Sequence, residues 1–224
     1  MATRIYLPSS GDPPVTPATW NIPDQINPET YAGVLTKINS PMTSKIEGTG
    51  IVSPNYRAML RYVIGPLNPV EISGTVHLQM RSQESTTGAN ATFCIAVKII
   101  KPDGTDRSIL LPYTAANSLT SPYEFLTALT NRRAYNESEQ QPIPLTAQTP
   151  VSGDYLVIEL GFRSQTTTNR NITLRYGDTT AGDMPDDTSS TADYAPWVEF
   201  SGDISFALAQ KIPNIMDFYR RLRD

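Results

Sequence analysis

Tyr155-Leu-Val-Ile-Glu-Leu-Gly-Phe162 is the stretch whose reading decides the fold. Leu156, Ile158, Leu160 and Phe162 fall on one face at a spacing of two, the period of a β-strand. After the polar turn 166–171, Ile172, Leu174 and Tyr176 repeat the pattern. An Asp-rich loop follows. The segment 197–206 then places Val198 and Phe200 against Trp197 and Glu199. Three strands joined by polar loops predict the closing part of an antiparallel β-sandwich.

Moving upstream, the same alternation recurs. Val70, Ile72, Gly74, Val76, Leu78 and Met80 alternate with Glu71, Ser73, Thr75, His77, Gln79 and Arg81, which predicts one core face and one face toward water or a partner. Phe93, Ile95, Val97 and Ile99 mark a core strand, and Lys101-Pro-Asp-Gly-Thr105 is a hairpin turn, because Asp-Gly supplies positive φ. Residues 56–64 read as a strand with Tyr56, Ala58, Leu60, Tyr62 and Ile64 on one face and Arg57 and Arg61 on the other. Val34–Ile38 reads as a short strand and 40–53 as a loop. Between 121 and 135 two readings stand. One is a short helix within Ser121–Leu129, capped by Ser121 with Pro122 at its first position; the other is an edge strand over Phe125–Tyr135.

The expected architecture is all-β: one antiparallel sandwich of jelly-roll type over 33–206, preceded by a Pro-rich extended arm over 1–32 and followed by a tail over 207–224. The chain's 224 residues suit one such domain. In the arm, Pro8, Pro13, Pro14, Pro17, Pro23 and Pro28 exclude a helix. Ile5, Tyr6, Leu7 and Trp20 are its candidate partner-binding residues. In the tail, Ile212, Ile215, Met216, Tyr219 and Leu222 recur at steps of three or four, a helical stripe that needs a docking surface. They complete the candidate partner-binding set.

Composition narrows the function. The net charge is −4, with a tail of +2 against a body of −6, which argues against nucleic acid as a partner. No apolar run approaches the about 20 residues of a membrane helix, so no membrane partner is expected. The opening residues lack the apolar core of a secretory signal, and the single Cys94 allows no intrachain disulfide.

Catalytic constellations are sparse. His77 is the sole histidine and lies on the polar face of a regular strand, while Cys94 alternates into an apolar one. No Gly-x-Ser-x-Gly elbow occurs. Glu159 and Glu199 could form a carboxylate pair if their strands were neighbours, but both read as solvated. Asp178, Asp183, Asp186, Asp187 and Asp193 form an acidic stretch of the ligand type calcium takes, without EF-hand spacing. Trp20, Trp197, Tyr135 and Tyr194 are candidates for sugar stacking. No catalytic residue, resident metal or cofactor is expected, and the chain reads as no enzyme.

Three features carry a resemblance. They are the opening Met1-Ala-Thr-Arg-Ile-Tyr-Leu-Pro8, the segment Asn171-Ile-Thr-Leu-Arg-Tyr-Gly-Asp178 and the closing Pro196-Trp-Val-Glu-Phe-Ser201. In these the chain resembles a family of virion structural proteins of tailed bacteriophages. The resemblance implies a part of the particle, made in the host cytoplasm. The expectation is an oligomeric head decoration or cement protein, a trimer among the options, with the major capsid protein or neighbouring subunits as partners. The alternative is a carbohydrate-binding domain of a phage tail.

Overall fold

A computed structural model describes residues 2–50, 54–113, 124–134, 142–178, 189–191 and 193–207. In chain order the strands are β1 (Thr3–Tyr6), β2 (Asp24–Ala32), β3 (Thr43–Gly48), β4 (Asn55–Ile64), β5 (Thr75–Glu84), β6 (Ala91–Ile100) and β7 (Asp106–Leu111). Then come β8 (Thr130–Ala134), β9 (Ile143–Pro144), β10 (Tyr155–Ser164), β11 (Asn171–Tyr176), β12 (Ser189–Ser190) and β13 (Trp197–Phe200). One short 3-10 turn spans Thr87–Ala89.

Two sheets face each other, as the alternation predicts. The smaller has the order β2-β4-β10-β6-β7. In the larger, β5 is the spine. It pairs with β13 and β11 along one side and with β8 and β9 along the other. β1 extends β13 and β3 extends β11. The core between the sheets holds Leu156, Ile158, Leu160, Phe162, Phe93, Ile95, Val97, Ile99, Val76, Leu78, Met80, Ile172, Leu174, Val198 and Phe200, the faces that alternation had assigned.

Several local readings change. Gly74 sits at φ +92, a left-handed conformation that interrupts an extended strand, so β5 starts at Thr75 rather than Val70, and Val70 is exposed. The face of β4 also switches. A bulge shifts its register with β10 between Leu160 and Gly161, so Met59 and Leu60 both enter the core while Tyr56 and Ala58 lie on the outer face. Gly161 makes the bulge possible, because a Cβ there would lie 1.9 Å from the Arg57 carbonyl oxygen. Val34 makes only a bridge to Tyr6, and Leu35 and Ile38 are exposed. Of the two readings, the edge strand over Phe125–Tyr135 is the one that places β8; no helix forms among the described residues of 121–129.

Residues 2–32 are woven into both sheets. β1 pairs antiparallel with β13, and Ile5 and Leu7 are fully buried in this chain's own core. β2 forms the edge of the smaller sheet and runs parallel to β4, the one parallel pair among the described strands. Between these strands, residues 15–22 pass over the outer face of the smaller sheet. Ala18 N–H donates to the Gly104 carbonyl at 2.8 Å, and Ile22 is buried against Ala58, Cys94 and Ala96. The small side chains on β4 and β6 leave the depression in which Ile22 and Trp20 sit.

Candidate functional site: a buried charge cluster under the N-terminal segment

The outer face of the smaller sheet carries Arg61 on β4, Glu159 on β10 and Lys98 on β6, with Asp106 at the start of β7. In sequence these are the polar positions of alternating strands. In the fold, Glu159 and Lys98 are fully buried and Arg61 nearly so, because residues 15–22 lie across them. Glu159 is therefore not a solvated side chain, and the sequence expectation is corrected on that point.

The geometry is specific. Glu159 Oε2 accepts the backbone N–H of Asn21 at 2.7 Å and of Ile22 at 3.0 Å. Lys98 Nζ lies 2.8 Å from Asp106 Oδ1 and donates to the Thr19 carbonyl at 2.8 Å and Thr19 Oγ1 at 2.9 Å. Glu159 Oε1 lies 3.7 Å from Nζ and has no hydrogen-bond donor. Thr19 Oγ1 also donates to Asp106 Oδ2 at 2.7 Å. Arg61 donates to the Thr19 carbonyl at 3.1 Å and to Thr30 Oγ1 at 3.2 Å, and its guanidinium stacks 4.0 Å from the Trp20 ring centroid.

Burial dominates the electrostatics. It pushes the Glu159 carboxyl upward, against the opposing pull of the Ile22 and Asn21 N–H groups, Lys98 and Arg61. It pulls the Arg61 guanidinium down to about 10. Burial also pushes Asp106 upward, but the bonds from Lys98 and Thr19 and the charges of Lys98 and Arg61 outweigh it and hold that carboxyl below its ordinary value. The cluster thus sets the buried Lys98 between the exposed Asp106 carboxylate, held toward its ionised form, and the buried Glu159 carboxyl, pushed toward its protonated form.

The remaining candidates lie elsewhere. Glu199 is on the opposite sheet from Glu159, so the two carboxylates do not form a pair. Glu199 instead binds Arg4 at 2.7 Å and lies 3.5 Å from His77 Nε2. His77 meets the buried Trp197 ring edge-on, and Arg4 stacks on the same ring at 4.2 Å.

Of the five aspartates proposed for calcium, Asp178 and Asp193 are described. The buried Asp178 carboxylate accepts the N–H groups of Ile38 and Ser40. Burial acts to raise its pKa, but these bonds prevail and hold it below the ordinary value. Asp193 is bound by Arg81 and Arg175. Both described carboxylates are thus already occupied. Asp183, Asp186 and Asp187 lie outside the described residues, as do Tyr135 and the tail residues Ile212, Ile215, Met216, Tyr219 and Leu222. Among the described residues no group of three or more His, Cys, Asp or Glu side chains is placed to hold a metal.

One further polar recess lies at an end of the sandwich. Its volume is about 320 Å³, with Glu84, Glu124, Asn90 and Phe125 among its lining residues. Burial raises Glu84 to about 7; the Ala91 N–H opposes this and the Glu124 charge adds to it.

No known protein family matches the chain, and no curated protein matches it in sequence. Among solved structures it is similar to an aminopeptidase from a marine-sediment Thaumarchaeota archaeon, at 9% identity and TM-score 0.47, covering 91% of this chain and 37% of that one. It is also similar to a CocE/NonD family hydrolase from Staphylococcus aureus, at 10% identity and TM-score 0.41, covering 89% and 36%. A third is the infectious bursal disease virus VP2 subviral particle, at 9% identity and TM-score 0.25, covering 97% and 56%. The chain spans just over a third of the length of the first two. At these values no activity, substrate or partner passes to this chain. The sequence expectation that the chain is no enzyme is corrected all the same: the structures it matches include an aminopeptidase and hydrolases, and that expectation is withdrawn. The fold established by the chain itself is an all-β sandwich of two facing sheets.

Proposed function

We propose that this chain is a structural component of a tailed-bacteriophage particle, docking as a head decoration protein on the major capsid protein and on further copies of itself. The virion setting rests on the three sequence segments quoted above. The mode of action rests on one observation: which apolar side chains reach the surface.

Among the described residues, the exposed large apolar side chains are Leu35, Ile38, Ile46, Val70, Ile109, Leu126 and Val151, all aliphatic. Of the described aromatic candidates, Trp197 is buried and Trp20 and Tyr194 are half-buried. Trp197 lies beneath Arg4, and Trp20 is stacked under Arg61. Sugar rings bind on open aromatic faces, whereas aliphatic side chains gain most from contact with another protein surface. The pattern therefore favours protein partners over a carbohydrate ligand.

The edges of the larger sheet fit the same reading. On β3, Lys45 and Glu47 occupy the inward-facing positions opposite Leu174 and Ile172, and Lys45 binds Glu29 of β2 at 3.0 Å. Inward charges on an edge strand oppose strand-to-strand aggregation. They leave Ile46, 58% exposed, facing outward for a side-chain contact. Co-sedimentation with particles of the cognate phage tests the proposal. Saturable binding that weakens with Ile46→Asp is expected. Failure to bind particles, together with glycan binding, would overturn it.

A further inference from the structure

We propose that Lys98 and Asp106 become joined by a side-chain amide that the folded chain forms by itself, with Glu159 carrying the proton. The inference stands on the buried cluster and does not depend on the virion reading.

An ordinary ion pair leaves one atom unexplained. The three hydrogens of the Lys98 ammonium are taken by Asp106 Oδ1 at 2.8 Å, the Thr19 carbonyl at 2.8 Å and Thr19 Oγ1 at 2.9 Å. Glu159 Oε1 is nevertheless held 3.7 Å from the same nitrogen, buried and without a donor. A structural salt bridge needs one carboxylate; this amine faces two. One is held in contact through its own carboxyl oxygen. The other is placed where a proton leaving Nζ would go.

Condensation balances with these groups alone. The ammonium gives a proton to Glu159 Oε1, and the neutral amine attacks Cγ of Asp106. The N–C bond forms and one C–O bond breaks. Nζ keeps one of its three hydrogens. The other two leave with the released Asp106 oxygen as water, the proton passing back through Glu159. No oxidant, metal or cofactor takes part. With Oδ1 at 2.8 Å, Cγ is at most about 4 Å from the nitrogen. Holding the two groups at that separation supplies the effective concentration that amide formation in water lacks. Burial of Glu159 and Lys98 keeps bulk water from the amine, and the Thr19 hydroxyl, donating to Asp106 Oδ2 at 2.7 Å, polarises the carboxyl that is attacked. The product would tie edge strand β7 covalently to β6.

Mass spectrometry of the full-length purified protein decides the matter. Loss of one water, about 18 Da, is expected. Trypsin should fail to cleave at Lys98 and release residues 82–107 as one peptide lighter by that mass; cleavage after Lys101 is blocked by Pro102 in either case. Lys98→Arg should abolish the loss and Glu159→Gln should slow it. Asp106→Asn should lose ammonia, about 17 Da, in place of water. Any dehydrated 82–107 peptide that disappears in Lys98→Arg supports the amide. Wild-type protein at its full sequence mass, with peptides 82–98 and 99–107 recovered separately and no dehydrated form, would overturn it.

Discussion

Replacing Glu159 with alanine should undock the N-terminal segment without unfolding the sandwich. The mutation removes the acceptor of two N–H groups, those of Asn21 and Ile22. Left buried and unpaired, each costs about 1–3 kcal/mol. Removing a partner from a buried charge cluster costs about 3–5 kcal/mol more. Together these exceed what the segment contributes by staying in place. Its main contribution is burial of Ile22, worth about 1.5–3 kcal/mol, with Trp20 and a few hydrogen bonds of about 1 kcal/mol each. The cheaper response is for residues 15–22 to lift away, after which Lys98 and Arg61 are hydrated. Stability should therefore fall by about 3–5 kcal/mol, capped by the docking energy. Urea unfolding measures the loss, and limited proteolysis should cut within 15–22 while leaving the sheets intact. Glu159→Gln, which keeps a carbonyl acceptor, should lose less. A Glu159→Ala protein within about 0.5 kcal/mol of wild type and uncut in the segment would refute the reasoning.

Other outcomes follow from single contacts. Gly161→Ala should destabilise by about 1–3 kcal/mol or more, because the new Cβ meets Arg57 backbone 1.9 Å away at the bulge; an unchanged urea midpoint would contradict this. Val76→Asp should cost several kcal/mol by placing a charge in the core, and a soluble variant with an unchanged melting temperature would be incompatible with the register. Cys94, buried and with its thiol pushed up to about 12 by burial, should resist thiol reagents in the native state and react in urea. Glu84, raised to about 7 in the fold from 4.5, binds its proton more tightly folded than unfolded. Its contribution to stability should be fully present below pH 4.5 and be lost as pH rises through 7, a slope that Glu84→Gln should remove.

The parts of the fold legible in sequence were those where alternation is clean. β10, β6, β11 and β13 present their expected core faces, because a one-residue slip would expose every apolar side chain. β2 was hidden by Pro23 and Pro28, which argue against a central strand. It is an edge strand, where proline is tolerated, and its register with β4 shifts around Asn27 and Pro28. β3 was hidden because its inward positions are Lys45 and Glu47, so an edge-protecting strand looks like a polar loop. The charge cluster was not legible because alternation gives the same pattern for a face open to water and for one covered by another segment. The one available signal was the pairing of Trp20 and Ile22 with small outward residues Ala58, Cys94 and Ala96, and that requires strand register to recognise.

Hydrogen exchange at the amides of Asn21 and Ile22 in the native protein tests most directly whether the N-terminal segment closes over Glu159. Both donate to a fully buried carboxylate, so they should exchange as slowly as the amides of β10 beneath them. Exchange at the rate of a free peptide, with β10 still protected, would show an open face and contradict the closed cluster.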